Sequence, residues 1–108
     1  MMPVAVESTK SLTKLDFSGE LTIYTASETM ESVKAALKNA LPIQLDLSEV
    51  SEIDAAGLQI LMAIKLHSTL HGVAFNLTGC SDVVTEFLGL ADLAGFFGEP
   101  IVLSGIPA

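Results

Sequence analysis

A long helical segment between two short strand-like segments constrains the fold more than any other feature of the sequence. The helix is predicted to run from Ala55 to His71, because Asp54 is a favourable N-cap and Gly72 stands where a left-handed residue commonly ends a helix. The flanking strands are predicted at residues 43–47, which alternate apolar and polar side chains, and at residues 73–78. A right-handed crossover makes these two strands parallel and packs the helix against the sheet.

Two further strands are predicted before the first helix. Residues 11–17 and residues 20–24 both keep an apolar period close to two. Ser18 and Gly19 separate them by a link short enough for a tight turn. The sequence therefore predicts a hairpin at this place.

The remaining segments complete an alternation of strands and helices. A helix is predicted over residues 26–40, with Thr25 or Ser27 at its start, and another helix follows Ser81. The order is β-β-α-β-α-β-α plus a C-terminal tail or short helix. This order predicts an α/β fold with a mixed sheet of four to five strands, formed as one domain over residues 1–108 with a core at about 12–93.

Charge and cysteine content exclude several classes of function. Five lysines oppose thirteen acidic residues, and a net charge of −8 disfavours nucleic acid and anionic membrane surfaces as partners. No apolar run reaches the length of a membrane span, and the N-terminus lacks the pattern of a secretory signal. Cys80 is the single cysteine, so the chain has no internal disulfide or zinc cluster, and a cytoplasmic location is expected.

The start of the long helix is unusually bare. Ala55, Ala56 and Gly57 follow the cap, so the first turn presents only backbone and methyl groups, which another molecule can approach closely. Alternatively, the small residues are needed because this turn packs against a neighbouring loop. From Leu58 to Lys65 the helix is apolar in almost every direction, which indicates cover by the C-terminal tail, an exposed surface for a partner, or both.

Several motifs together resemble the STAS domain. The segment LDLSEV is followed after two residues by IDAAGL, it is preceded by GELTIYTA, and NLTGC and LGLADL come later. The resemblance extends from about Leu12 to Leu93. The family includes anti-sigma factor antagonists, the cytoplasmic tails of sulfate transporters and a small subunit of a bacterial lipid ABC transporter. The form DAAGLQIL is also similar to stand-alone STAS proteins found with bacterial chemotaxis components.

The resemblance implies a regulatory position at Ala56. In antagonists of this family, a Ser or Thr two places after the Asp is phosphorylated by an anti-sigma factor that is also a kinase, and only the unphosphorylated form binds this partner. The Asp corresponds to Asp54 here, and the phosphoacceptor position is Ala56, which has no hydroxyl. We therefore expect a surface that stays in its binding-competent form. Ser48, Ser51 and Thr25 are the nearby hydroxyl residues, and turn formation is the expected role of each.

A non-enzymatic module of signal transduction or transcription regulation is the first functional hypothesis. Its expected partner is a kinase-type anti-sigma factor or a chemotaxis component, and the chain itself is expected to be a monomer or weak dimer. The alternatives are a structural subunit of a lipid ABC transporter and a sensor of nucleotides or other small ligands. The predicted partner-binding residues are Glu20, Thr22, Ser51, Asp54, Ala55, Ala56, Gly57, Leu58, Met62 and Lys65.

No combination of residues in the sequence points to catalysis or to a cofactor. His67 and His71 have the spacing of metal ligands on a helix, but no third ligand is evident. Asp46 and Asp54 form no obvious acid–base pair, and no Gly-rich phosphate loop or nucleophile–base set is present. We therefore expect no enzyme activity, metal or cofactor.

Overall fold

Four strands and three helices alternate along residues 4–90, the part of the chain that the computed structural model describes. The sheet has the order β1-β2-β3-β4, with β1 antiparallel to β2 and the other neighbours parallel. The elements are β1 (Val4–Ser8), β2 (Thr13–Leu21), α1 (Ala26–Ala36), a 3-10 turn (Leu37–Asn39), β3 (Ile43–Ile53), α2 (Ala55–His71), β4 (Phe75–Cys80) and α3 (Asp82–Leu90).

One face of the sheet is buried because apolar residues alternate along the two central strands. Leu15 in β2 lies opposite Leu45 in β3, and both are fully buried. Asp16 and Asp46, next along each strand, are partly exposed and also lie opposite each other. The helices complete a single hydrophobic cluster with these strands. The helical side chains buried in it are Val33, Ala36, Ile60, Leu61, Ile64, Val84 and Leu88.

The element order and the limits of the long helix are confirmed. Helix α2 covers Ala55–His71, and the Asp54 carboxylate caps it by accepting a hydrogen bond from the Gly57 N–H. Gly72 ends it in the left-handed conformation, with φ of 63°. At the last helix, the Ser81 hydroxyl oxygen accepts from the Val84 N–H at 3.3 Å. Strands β3 and β4 are parallel, as the crossover argument requires.

The predicted position of the hairpin is wrong. The hairpin pairs β1 with β2, while the chain runs on through Ser18 and Gly19 as one strand. Gly19 has φ of 71°, and the register between β2 and β3 shifts on both sides of the Ser18–Gly19 pair. Gly19 therefore keeps the left-handed conformation of a turn residue inside a continuous strand, and the extra residue at each register shift belongs to β3.

Three further limits differ from the sequence-based expectation. Helix α1 ends at Ala36 rather than at residue 40, and Thr25 precedes it without a side-chain cap. Strand β3 continues to Ile53 instead of ending at residue 47, because it stays paired with β2. Strand β4 is displaced by two residues and ends at Cys80. The predicted tail lies outside the described residues.

Candidate partner-binding surface

The Asp54 carboxylate joins the start of α2 to the loop between β2 and α1. Its Oδ1 atom accepts from the Gly57 N–H at 3.1 Å, and its Oδ2 atom accepts from the Ile23 N–H at 3.0 Å. These two bonds, that from Ile23 first, lower the pKa of Asp54 below its ordinary value of 3.8. The cap found from the sequence thus also fixes a distant loop, which the sequence did not indicate.

Gly57 is small because it packs against β2. A Cβ atom added here would lie 2.9 Å from both the carbonyl carbon and the Cγ atom of Leu21, and nearer still to the Leu21 carbonyl oxygen. No side chain fits in that space without moving the helix or the strand. Gly57 is therefore small because the first turn of α2 packs closely against its neighbour. Ala55, by contrast, is exposed, and Ala56 is half-buried.

Two large apolar side chains stand in solvent on the adjoining loop. Ile23 is 68% exposed and Tyr24 is 90% exposed. Hydrogen bonds connect the loop around them: the Thr25 hydroxyl donates to the Glu20 carbonyl at 3.0 Å, and the Thr22 hydroxyl accepts from the Tyr24 N–H at 3.3 Å. Ile23 and Tyr24 were predicted to lie in a strand and are therefore absent from the predicted partner-binding residues. The sequence could not indicate that the Asp54 carboxylate also accepts from the Ile23 N–H, because the two residues are 31 positions apart.

Thr22, one of the predicted partner-binding residues, is buried and shapes this loop. Its side chain is only 6% exposed, and its hydroxyl donates to a Glu20 carboxylate oxygen at 3.3 Å. Glu20 itself is exposed and lies opposite Glu52 on β3. Ser51 and Glu49 are exposed on the same strand. Carboxylates therefore border the loop on its strand side.

The other predicted residues of α2 continue along the helix from its first turn. Leu58 and Met62 are half-buried and pack partly on the core cluster. Lys65 comes ten residues after Ala55, or about 15 Å along the axis at 1.5 Å per residue. Its Nζ atom lies 5.0 Å from the centre of the Phe75 ring, a cation–π contact toward β4. We define the loop–helix surface as Ile23, Tyr24, Ala55 and Ala56.

Burial and neighbouring residues explain the pKa shifts of the other titratable groups singled out in the sequence. The rings of His67 and His71 stack at 4.1 Å, and burial, followed by the charge of His71, lowers the pKa of His67. Burial raises the pKa of the Cys80 thiol to about 11. Asp46 accepts from the Ser48 hydroxyl at 2.6 Å, which lowers the pKa of Asp46. Within residues 4–90, no three His, Cys, Asp or Glu side chains are grouped to hold a metal ion.

Most of the chain matches one known protein family. Residues 4–103 match the family described as "Mlab, STAS domain", which is nearly the whole length of 108 residues. The chain belongs to the STAS domain family. Among the helices of residues 4–90, none has the length and apolarity needed to cross a membrane.

Solved structures share the same STAS fold. An anti-sigma factor antagonist from Mycobacterium paratuberculosis superposes with a TM-score of 0.72 at 23% identity, over 92% of this chain and 86% of that one. A putative antagonist from Thermotoga maritima gives 0.72 at 24% identity, over 83% and 79%. The antagonist SpoIIAA in its unphosphorylated form gives 0.71 at 16% identity, over 85% and 83%. At these identities the likeness establishes the fold.

Proposed function

We propose that this STAS domain is a non-enzymatic regulatory module that binds a partner protein through the loop–helix surface. The observation that carries the proposal is the exposure of Ile23 and Tyr24 beside the exposed Ala55, with Asp54 holding the loop against the helix. A loop whose backbone is already fixed needs little further backbone ordering on binding, and tyrosine is among the residues enriched where binding energy is concentrated. The similar structures include anti-sigma factor antagonists, which supports a protein partner.

The carboxylates beside this surface favour a partner with positive charge. Glu20 and Glu52 are exposed at the adjoining ends of β2 and β3, Glu49 is exposed farther back on β3, and the whole chain carries −8. Such charges at the edge of an interface mainly speed association and make it sensitive to salt. A cytoplasmic kinase-type anti-sigma factor or chemotaxis component with a basic and apolar docking face is the partner we propose.

Ala56 makes binding independent of phosphorylation at this position. The side chain is a half-buried methyl group in the first turn of α2. A phosphate here would add about 1.5 to 2 negative charges beside Asp54 and Glu52, where the like charges repel one another and the phosphate would have to lose its water against the apolar part of the docking face. Without a hydroxyl, the surface stays in one state. Thr25 and Ser48 already use their hydroxyls in bonds to the Glu20 carbonyl and to Asp46.

The test is affinity capture from the native cell, with partners identified by mass spectrometry. Ala56→Asp and Tyr24→Ala should each weaken capture, Tyr24→Ala by about 30-fold if Tyr24 supplies the ~2 kcal/mol of a hot spot. Val83→Asp is the matched control, because Val83 is an exposed apolar residue on α3. Capture unchanged by both surface variants would refute the site.

A structural subunit of a lipid ABC transporter is the second candidate. The observation that favours it is again Ala56, since a permanent subunit needs no phosphorylation switch. A permease or transport ATPase among the captured proteins would select this candidate, whereas a histidine-kinase-like or chemotaxis protein would select the first. Stoichiometric phosphate on Ser48, Ser51 or Thr25 after treatment with a captured kinase would refute the loss of the switch.

A further inference from the structure

The end of α2 carries the two histidines of the chain, one helical turn apart. The rings of His67 and His71 stack with their centres 4.1 Å apart and their planes at 28° to each other. His71 is exposed in the last turn, and its Nδ1–H donates to the His67 carbonyl at 3.0 Å, because a carbonyl oxygen can only accept. The pair therefore joins the last two turns of the helix through a ring contact and a hydrogen bond.

The surroundings of the His67 ring fit a neutral imidazole. The ring is half-buried, and its Nε2 atom is buried without a hydrogen-bond partner among residues 4–90. A neutral ring with its proton on Nδ1 leaves only a lone pair at this position, whereas an imidazolium places a charged N–H there without an acceptor. Burial of the charged, unpaired donor is the more costly of the two. In agreement, burial and then the charge of His71 lower the pKa of His67.

Within residues 4–90, no acidic side chain compensates a second positive charge on the pair. Helix α2 packs on α1, β2 and β3. The parallel crossovers bring the ends of α1 and α2 to the same edge of the sheet, where the exposed cations Lys34 and Lys38 lie. The other charged residues of these elements lie in the first two turns of α1, on the opposite face of the sheet or toward the start of α2, and none shifts the pKa of His67. They are Glu28, Glu31, Lys14, Asp16, Asp46, Glu20, Glu49 and Glu52.

We propose that the stacked pair of His67 and His71 is a pH-sensitive latch, which holds the end of α2 while at most one ring is charged and opens when both are. One charge is tolerated, because a cation on His71 faces the carbonyl end of the helix, where positive charge is favourable. A second charge brings two imidazolium rings into contact and leaves the buried N–H of His67 without an acceptor. The His67 ring then leaves its site.

Opening of the latch loosens the connection between α2 and β4. The Val73 N–H donates to the Ser68 carbonyl at 3.0 Å, and the Gly72 N–H donates to the Thr69 carbonyl at 3.3 Å. Both acceptors lie in the turn that the histidine pair joins. The latch lies at the other end of the 17-residue helix from the loop–helix surface, about 24 Å away at 1.5 Å per residue. The end of α2 can therefore open while the bonds of Asp54 at its start stay intact.

The size of the effect follows from proton binding to His67. Of all the side chains, only the two histidines ordinarily change charge between about pH 7.5 and pH 5.5. In the open turn His67 titrates near its ordinary pKa of 6.5, whereas the closed turn keeps it neutral. The closed turn is therefore fully stable above this pH and loses stability as the pH falls below it. The open population grows by up to about tenfold between about pH 7.5 and pH 5.5.

Amide hydrogen exchange of the full chain, expressed as protection factors at about pH 7.5 and pH 5.5, tests the latch directly. The Gly72 and Val73 N–H groups should lose protection by about threefold to tenfold at the lower pH. The Ile23 N–H is the internal control. Its acceptor Asp54 has a pKa below 3.8 and stays ionised over this range, so its protection should not change.

Two variants remove the titration and keep the site filled. His67→Phe keeps a ring in the half-buried position, and the protection of the Gly72 and Val73 N–H groups should become independent of pH. His67→Gln should give the same result with a polar side chain, so the outcome does not depend on how phenylalanine packs. Circular dichroism at both pH values should show that each variant is folded.

Three results would overturn the proposal. The first is a change of less than about twofold in the wild type, which is smaller than proton binding to a held neutral histidine requires. The second is the same loss of protection at low pH in both His67 variants. The third is an equal loss at the Ile23 N–H, because the whole domain and not the end of α2 would then respond to pH.

Discussion

Adding one methyl group at Gly57 should destabilise the domain and displace the loop that carries Ile23 and Tyr24. The added Cβ would lie 2.9 Å from the Leu21 carbonyl carbon and closer to the carbonyl oxygen. A main-chain group in a paired strand cannot rotate away as a side chain can. Either α2 moves outward or β2 bends, and both movements strain the bonds that Asp54 makes to Ile23 and Gly57.

The expected loss in unfolding free energy is about 2 kcal/mol. Overpacking of this kind costs about 3 kcal/mol, and the higher helix propensity of alanine offsets about 1 kcal/mol of this cost. For a domain of this size, each kcal/mol lowers Tm by about 4 to 8 °C. Gly57→Ala should therefore melt about 8 to 16 °C below the wild type, with the urea midpoint falling in parallel.

Gly19→Ala is the matched control. Its added Cβ would have no neighbour within 4 Å, so the substitution costs only the strain of a left-handed alanine at φ of 71°, about 1 kcal/mol. Amide hydrogen exchange provides a second measurement, because the Ile23 N–H should lose protection in Gly57→Ala and keep it in Gly19→Ala. A Gly57→Ala variant as stable as the wild type, with Ile23 still protected, would refute the packing argument.

Two further predictions follow from the titratable groups. Folding lowers the pKa of Asp54, so the stabilisation by its carboxylate is complete above the unfolded pKa near 3.8 and is lost as the pH falls through the folded pKa. Between about pH 5 and pH 3, the urea midpoint should therefore fall less steeply for Asp54→Asn than for the wild type. Equal slopes for the two proteins would contradict this prediction. The pKa of the Cys80 thiol is raised to about 11, so at neutral pH the folded chain should react with iodoacetamide far more slowly than a free thiol does. The chain unfolded in urea should react at the ordinary rate. Rapid labelling of the folded chain would show that Cys80 is accessible as a thiolate.

The sequence could predict those elements whose signals are local. Helix α2 was located at both ends, because its cap, its apolar content and its terminal glycine act within a few residues of one another. The hairpin was misplaced for the opposite reason. A glycine in the left-handed region is typical of a tight turn, but the pairing of β2 with both β1 and β3 keeps Gly19 inside one continuous strand.

The same difference between local and long-range signals applies to the candidate site. The sequence by itself determined that α2 begins with small, uncharged residues after Asp54, since these are identities and not contacts. Only the tertiary structure decided that Gly57 faces Leu21, that Ala55 faces solvent, and that Asp54 also holds Ile23. The physical reason is distance along the chain. A side chain can be assigned to one turn of a helix from its neighbours in sequence, whereas the strand or loop that lies against it is set by the packing of the whole sheet.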